Sequence, residues 1–241
     1  FHALLALALA FSVRRRKAAG ESSLLPRAAL IGVIVCLPVL LASRLAIGFR
    51  HALPLLPWLC VLAAAGVSRL WQRSGGPLRA AIALLVLWHA AGTLSWYPHY
   101  LAYTSEYVRT RDDGHTALLD SNLDWGQGLL ELRDFLRRRG IDRVFLSYFG
   151  SALPEAYGID YVPLPSFLDL PEPVPPRPEP LPRHAVISAT HLHGLFLEGD
   201  PFAALRSVPP DAVLGHSLFV YRVNADPVTG TLDLVPSGDG R

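Results

Sequence analysis

Eight consecutive residues, Asp120-Ser-Asn-Leu-Asp-Trp-Gly-Gln127, concentrate two carboxylates, two side-chain amides and an indole. Carboxylates and amides hydrogen-bond hydroxyl groups, and an indole offers a flat face for stacking. Asp120, Asn122, Asp124, Trp125 and Gln127 therefore make a candidate loop for a ligand or a sugar acceptor. The same residues have a structural use. Asp124 with Gln127 three positions on matches a capping box, which would start a helix near Trp125 and tie down the loop. Residue types alone weigh the two uses equally.

A second group is cationic. Arg44, Arg50 and His51 fall in or beside the run Ile47-Gly-Phe-Arg-His-Ala-Leu-Pro-Leu-Leu-Pro-Trp58. Arginine suits phosphate through its planar fork of donors. Pro54 and Pro57 fit the first turn of a helix and leave backbone N–H groups facing the same place, so the three form a candidate site for an anionic head group. On residue physics alone, arginines snorkelling from helix ends to water are the plainer account.

Other constellations carry less. His191-Leu-His193 could place two metal ligands on one side of a strand, but no third ligand has sensible spacing, and the pair reads as ordinary polar residues. Asp112-Asp113 and Glu106 form an acidic patch whose Asp-Asp-Gly reads as a turn before it reads as an acid/base pair. Cys36 and Cys60 both lie in apolar runs and make neither a disulfide framework nor a zinc site. There is no nucleophile elbow, P-loop or GxGxxG, no complete catalytic constellation, and no cofactor motif. A net charge of +2 without a basic stripe gives no case for nucleic acid.

The elements that must position these groups divide by composition. Half the 241 residues are hydrophobic, 17% are charged and the mean hydropathy is +0.31. The apolar residues crowd into 1–96, whereas most acidic ones lie beyond 105, as in a chain that changes solvent partway along. Residues 1–11 are apolar but too short to cross a bilayer, which needs roughly 20, and they read as the end of a helix that begins upstream. Fuller spans are expected at Leu24–Ser43, Ala52–Val67 and Leu78–Trp96. Arg14–Lys17 and the group Arg69, Arg73 and Arg79 should be cytoplasmic by the positive-inside rule. Arg44–His51 and everything after Trp96 then fall outside, with Trp96, Tyr97, Tyr100 and Tyr103 as an aromatic belt.

Beyond the spans, His115–Asp120 reads as a short buried strand, followed by a helix with Leu129, Leu132 and Leu136 on one face and Gly140 just past its end. Arg143–Phe149 is a second strand, completing a βαβ unit with a right-handed crossover. Ten prolines between Pro154 and Pro182 predict no regular structure over 151–183. Ala185–Ala189 is a third strand, Pro201–Arg206 a short helix with Asp200 as its N-cap, and His216–Val223 the last strand. The expected architecture is a multi-pass α-helical membrane segment (1–96) followed by a small α/β extracytoplasmic domain of about four strands (97–223). A polar tail (224–241) is expected to be disordered.

Several stretches together resemble a known family. Trp96-Tyr-Pro-His-Tyr-Leu-Ala-Tyr103, Leu119-Asp-Ser-Asn-Leu-Asp-Trp-Gly-Gln-Gly-Leu129, Tyr148-Phe-Gly150 and Tyr157-Gly-Ile159 are similar to the C-terminal part of bacterial polyprenyl-phosphate-dependent glycosyltransferases. These belong to the glycosyltransferase C superfamily and are related to the dolichyl-phosphate-mannose protein mannosyltransferases. Phe49-Arg-His-Ala-Leu-Pro-Leu-Leu-Pro57 resembles their Arg-Tyr-x-Leu-Pro-x-x-Pro element, with His51 where Tyr is usual. Tyr103-Thr-Ser-Glu106 departs from their Phe-Asn-Glu. The resemblance covers 44–223. It implies transfer of a sugar from a polyprenyl-phosphate donor in the bacterial cytoplasmic membrane to an acceptor outside the cytoplasm. Arg50 would lie near the donor phosphate, with His51 and Arg44 contributing less. The outer domain would recognise acceptor or cap the site. The family's catalytic acids lie in the first outer loop of an N-terminal half, so the chain reads as a C-terminal fragment. The rival readings are a non-catalytic, membrane-anchored α/β module that binds a ligand or partner at Asp120–Gln127, and, more weakly, a transporter fragment. No charged residue sits mid-span to favour the transporter.

Overall fold

The computed structural model describes residues 24–43, 48–104, 108, 110–167, 181–225 and 232–234. The short apolar start, the Arg14–Lys17 cluster, Arg44 and Glu106 lie outside the described residues, as do residues 168–180 of the proline-rich run and most of the tail. The chain divides into two compact units, Phe1–Tyr97 and Pro98–Arg241.

The first unit holds α1 (Leu24–Ala42), a 3-10 stretch (Gly48–Leu55), α2 (Leu56–Arg73) and α3 (Gly76–Leu94). Among the described residues three helices are long and apolar enough to cross a membrane, the second counted from Arg50 to Arg73. Leu25, Ile31, Ile34, Val39 and Leu41 of α1 are all exposed, and such an all-round apolar surface suits lipid better than water. Gly32 lets α1 and α2 approach closely, since a Cβ there would fall 2.4 Å from the Trp58 indole. The second helix starts later than expected, at Leu56 with Pro57 in its first turn, because Pro54 belongs to the preceding 3-10 stretch. It also runs on to Arg73. There the Ser74 hydroxyl donates to Leu70 O at 2.6 Å, and Gly75-Gly76-Pro77 turns the chain into α3. Of the aromatic run, Tyr97 and Tyr100 are exposed and Trp96 is buried.

The second unit is a mixed sheet with one long helix, α4 (Leu129–Arg139), and a short one, α5 (Ala189–Leu192). Its strands are β1 (Arg143–Ser147), β2 (Asp160–Pro163), β3 (His184–Ser188), β4 (Ala212–Leu214), β5 (Leu218–Ala225) and β6 (Leu232–Leu234). The order is β2-β1-β3-β5-β4, with β6 on the far end of β5. The β1 strand pairs parallel with β2 and β3, whereas β5 is antiparallel to β3, β4 and β6. Alternation along the strands makes two faces. Val144, Leu146, Tyr148, Val186, Leu218 and Val220 pack with Leu129, Leu132 and Leu136 of α4 in one core. Each fully buried leucine there contributes about 2 kcal/mol. Phe145, Ile187, Phe219 and Tyr221 alternate onto the opposite face, where the His115 ring meets Phe219 edge-on at 4.9 Å. Gly140 ends α4 in the left-handed conformation, as its position predicts (φ 62°).

Several expectations are corrected. His115–Asp120 is not a strand: residues Arg111–Thr116 and Asp120–Asn122 form 3-10 turns. The Asp113 carboxylate accepts from the Thr110 N–H and hydroxyl, a capping box that starts a helical turn where apolar patterning suggested extension. The expected βαβ unit therefore lacks its first strand, and the parallel pairing runs through β1, β2 and β3 instead. The long helix begins at Leu129, not Trp125, because the Asp124 and Gln127 side chains bond local backbone groups in a tight turn and Gly126 has φ +89°. The proline-rich run is not wholly irregular. Pro154–Tyr157 is a 3-10 turn and Asp160–Pro163 is an edge strand closed by its own proline. Residues Ala203–Ser207 form a 3-10 turn, and the Asp200 carboxylate pairs with the Arg206 guanidinium instead of capping it. Besides β2, two further strands, β4 and β6, were not expected, and β6 lies in the tail read as disordered.

Candidate functional site

The loop Asp120–Gln127 owes its shape to its own polar side chains. Asp120 has a left-handed backbone (φ 58°), which costs a non-glycine residue about 1 kcal/mol, and its N–H donates to Thr190 Oγ1 at 3.1 Å. Asp124 Oδ1 accepts from the Gly126 N–H at 2.9 Å. Gln127 Oε1 accepts from the Trp125 N–H, and its Nε2 donates to Leu123 O, both at 2.9 Å. Gly126 is pressed against Tyr148, whose hydroxyl donates to Gly126 O at 3.4 Å. Asp124 and Gln127 are thus committed to the loop, and Trp125 is turned outward with 52% of its surface exposed.

Trp125 does not stand alone. Its ring meets Phe149, two residues beyond β1, edge-on at 5.4 Å. Phe196 stacks on Phe149 at 5.8 Å and 11°, and Phe167 lies 4.9 Å from Phe196 and 6.0 Å from Phe149. Phe149 is 2% exposed and forms the base, whereas Phe167 and Phe196 are 50% and 52% exposed. Phe196 is held outward by another left-handed backbone (φ 63°). Phe149 follows β1, Phe167 follows β2, and Thr190 and Phe196 follow β3. The rings and the loop therefore gather at the carboxyl ends of the parallel strands, on either side of the point where connections from β1 diverge. Open α/β sheets bind ligands at such a point.

Buried polar groups underlie this edge. His191 is fully buried, its Nδ1 lies 2.9 Å from Ser147 Oγ, and its Nε2 accepts from the Phe167 N–H at 3.1 Å. Ser147 in turn donates to Pro165 O at 2.6 Å. This network assigns the proton to Nδ1 and keeps the ring neutral. Burial pushes its pKa down to about 4. Asp124 is also fully buried, and burial raises its pKa to about 7. Its Oδ2 and the Ser217 hydroxyl lack partners of good hydrogen-bond geometry, although the hydroxyl lies near enough to offset part of the burial effect.

The two histidines flagged as possible metal ligands separate. His191 enters the core, while His193 Nε2 meets His115 Nδ1 at 2.8 Å. Burial holds both His115 and His193 below the ordinary imidazole value. Among the described residues no group of three or more His, Cys, Asp or Glu side chains is placed to hold a metal. A second polar cluster joins His99 to Glu131 (2.7 Å) and His216 to Asp112 (2.6 Å), with the two imidazoles edge-to-face at 5.2 Å. The other Glu131 oxygen accepts from the Gly215 N–H at 2.6 Å, so this cluster fastens the β4–β5 turn to the start of α4.

In the first unit, Arg50 is exposed and His51 half-buried within the 3-10 stretch before α2. Arg50 and His51 are consecutive in the chain, and Arg44 lies outside the described residues.

Of the loop residues singled out by type, Trp125 is exposed, Asp120 and Asn122 are half-buried, and Asp124 and Gln127 have structural duties. Sequence reasoning missed Phe149, Phe167, Thr190 and Phe196. Tyr148-Phe-Gly150 was a signal for the first, but no local pattern marks the others, which converge only through sheet pairing. Compared with known protein families, curated proteins and solved structures, the chain matches none.

Proposed function

We propose that this chain is the C-terminal part of an integral-membrane glycosyltransferase of the glycosyltransferase C superfamily. It would help move a sugar from a polyprenyl-phosphate donor to an acceptor outside the cytoplasm. The observation that carries the reading is Arg50, exposed at the first residue of the second apolar span, inside a proline-marked turn. A guanidinium at the end of an apolar helix pairs with a lipid phosphate through two parallel hydrogen bonds. Three apolar helices and the resemblance of Asp120–Gln127 support the same reading. The helices cross the bacterial cytoplasmic membrane, and the sheet unit is extracytoplasmic and recognises the acceptor. The catalytic acids belong to a first outer loop, as the resemblance implies.

The test is transfer by the full-length protein in lipid vesicles, with a polyprenyl-phosphate sugar as donor. Arg50→Ala is expected to raise KM for donor about tenfold or more, the worth of a charge-assisted hydrogen bond, and Arg50→Lys less. Unchanged donor KM and turnover would refute the role. A non-catalytic binding module is the second reading, favoured by the aromatic edge of the sheet unit. It is the one left standing if the full-length protein transfers no sugar.

A further inference from the structure

We propose that Trp125, Phe167 and Phe196, seated on Phe149, form a binding platform for a neutral saccharide, with the half-buried Asp120–Asn122 turn supplying acceptor and donor atoms to its hydroxyls. The proposal rests on the glycosyltransferase reading only in naming this saccharide as acceptor.

Three features point to a ligand. First, three aromatic rings from three different connections are each about half exposed, and they share a buried ring as their base. Leu195, beside Phe196, is exposed as well. Leaving this much apolar surface in water weakens the hydrophobic driving force of the fold, and contiguous patches of this kind mark binding sites. Second, the residues at both margins, Asp120 and Phe196, hold left-handed backbones without being glycine. Such outliers cluster at ligand sites, where the surrounding structure over-determines them. Third, the platform sits at the carboxyl ends of parallel strands.

The chemistry selects the ligand class. The rings do not make one flat wall: Trp125 is inclined 72° to Phe149, while Phe196 lies nearly parallel to it. Faces at an angle fit the two C–H faces of successive sugar rings better than a flat protein surface. The partly positive C–H groups of a pyranose meet the negative faces of the rings. The turn that precedes Trp125 in the same loop carries a carboxylate (Asp120), a hydroxyl (Ser121, donating to Asp120 Oδ2 at 3.2 Å) and an amide (Asn122, whose Nδ2 donates to Leu119 O at 3.3 Å), residue types whose further lone pairs and N–H match sugar hydroxyls. The ring contacts that build the platform involve Trp125, three phenylalanines and the neutral His191, and no cation. No cation is among these ring contacts of the described residues, and the Asp120 carboxylate of the same loop would repel a sugar phosphate, which favours a neutral ligand.

The experiment measures binding without donor, so it does not depend on transfer. The whole chain in detergent micelles is applied to an array of neutral oligosaccharides, and Kd is measured for the best-bound glycan. Trp125→Ala and Phe196→Gly are each expected to weaken Kd about tenfold or more, as loss of one stacked ring does. Phe196→Gly also relieves the backbone and should leave the fold intact by circular dichroism. Trp125→Phe should retain most of the affinity. Arg50→Ala should bind glycan normally, so failure of the donor reading and failure of this one are separable. Absence of glycan binding, or binding unchanged in both ring variants, overturns the proposal. Binding of lipid vesicles or of protein in place of glycans, lost on the same substitutions, also overturns it.

Discussion

The Asp120 N–H donates to the Thr190 hydroxyl at 3.1 Å, tying the first residue of the Trp125 loop to the turn that follows β3. The bond offsets the left-handed backbone of Asp120 by satisfying an N–H that the turn would otherwise leave idle. Thr190→Val keeps the shape and removes the acceptor. It is expected to cost about 1 kcal/mol and to speed amide exchange across residues 120–124, with Thr190→Ser close to wild type. Hydrogen-exchange mass spectrometry reads both, and equal protection in the two variants would show that the bond does not hold the loop.

Asp124 makes stability depend on pH with a definite sign. Burial raises its carboxyl from the ordinary 3.8 to about 7, so the folded state binds this proton more tightly than the unfolded state. Its stabilising contribution is complete below the unfolded value and is lost as pH rises toward 7. The buried His191, lowered from 6.5 to about 4, acts in the opposite sense and loses its contribution as pH falls through that interval. The comparison must therefore be made between variants. Asp124→Asn mimics the protonated acid and removes its titration. Relative to this variant, wild type should lose stability steadily between pH 4 and 7, as measured by urea unfolding. A pH-independent difference would mean that Asp124 ionises normally.

Gly126 and Gly140 both have positive φ, but their surroundings differ. A Cβ on Gly126 would lie 1.8 Å from the Tyr148 hydroxyl and one on Gly140 would meet nothing within 4 Å. Gly140→Ala should cost about 1 kcal/mol, the backbone strain alone. Gly126→Ala adds a steric clash with a fully buried side chain and should cost at least about twice as much. Thermal unfolding of the two variants decides it, and similar shifts would show that Tyr148 yields easily.

Local patterning was enough for much of this molecule, because some elements depend mostly on their own residues. The three apolar helices follow from runs dominated by Leu, Ala, Ile and Val, long enough that α1 continues through Gly32 and Pro38. Leu129, Leu132 and Leu136 share one helical face whatever lies opposite, and Gly140 ends that helix because its left-handed backbone suits no other residue as well. The strands β1, β3 and β5 are continuous apolar runs and were recognisable as such. The edge strands were not. Asp160–Pro163 is a strand only because β1 offers it a parallel partner, and Leu232–Leu234 only because β5 extends past β3. The apolar residues of His115–Asp120 looked extended until the Asp113 cap and the positive φ of Asp120 decided otherwise.

The candidate site divides in the same way. Residue types marked Trp125, Asp120 and Asn122 without any structure, since an exposed indole in a polar loop is a local feature. That Asp124 and Gln127 serve the loop's own backbone could be settled only by seeing where their oxygens point. Phe149, Phe167 and Phe196 lie on separate connections, and their meeting depends on the order in which β1, β2 and β3 pair. Strand order is a property of long-range hydrogen bonding, to which no stretch of neighbouring residues is sensitive. Sequence alone therefore determined which segments are apolar helices and which residues have binding chemistry, and only the tertiary structure decided which of those residues share one surface.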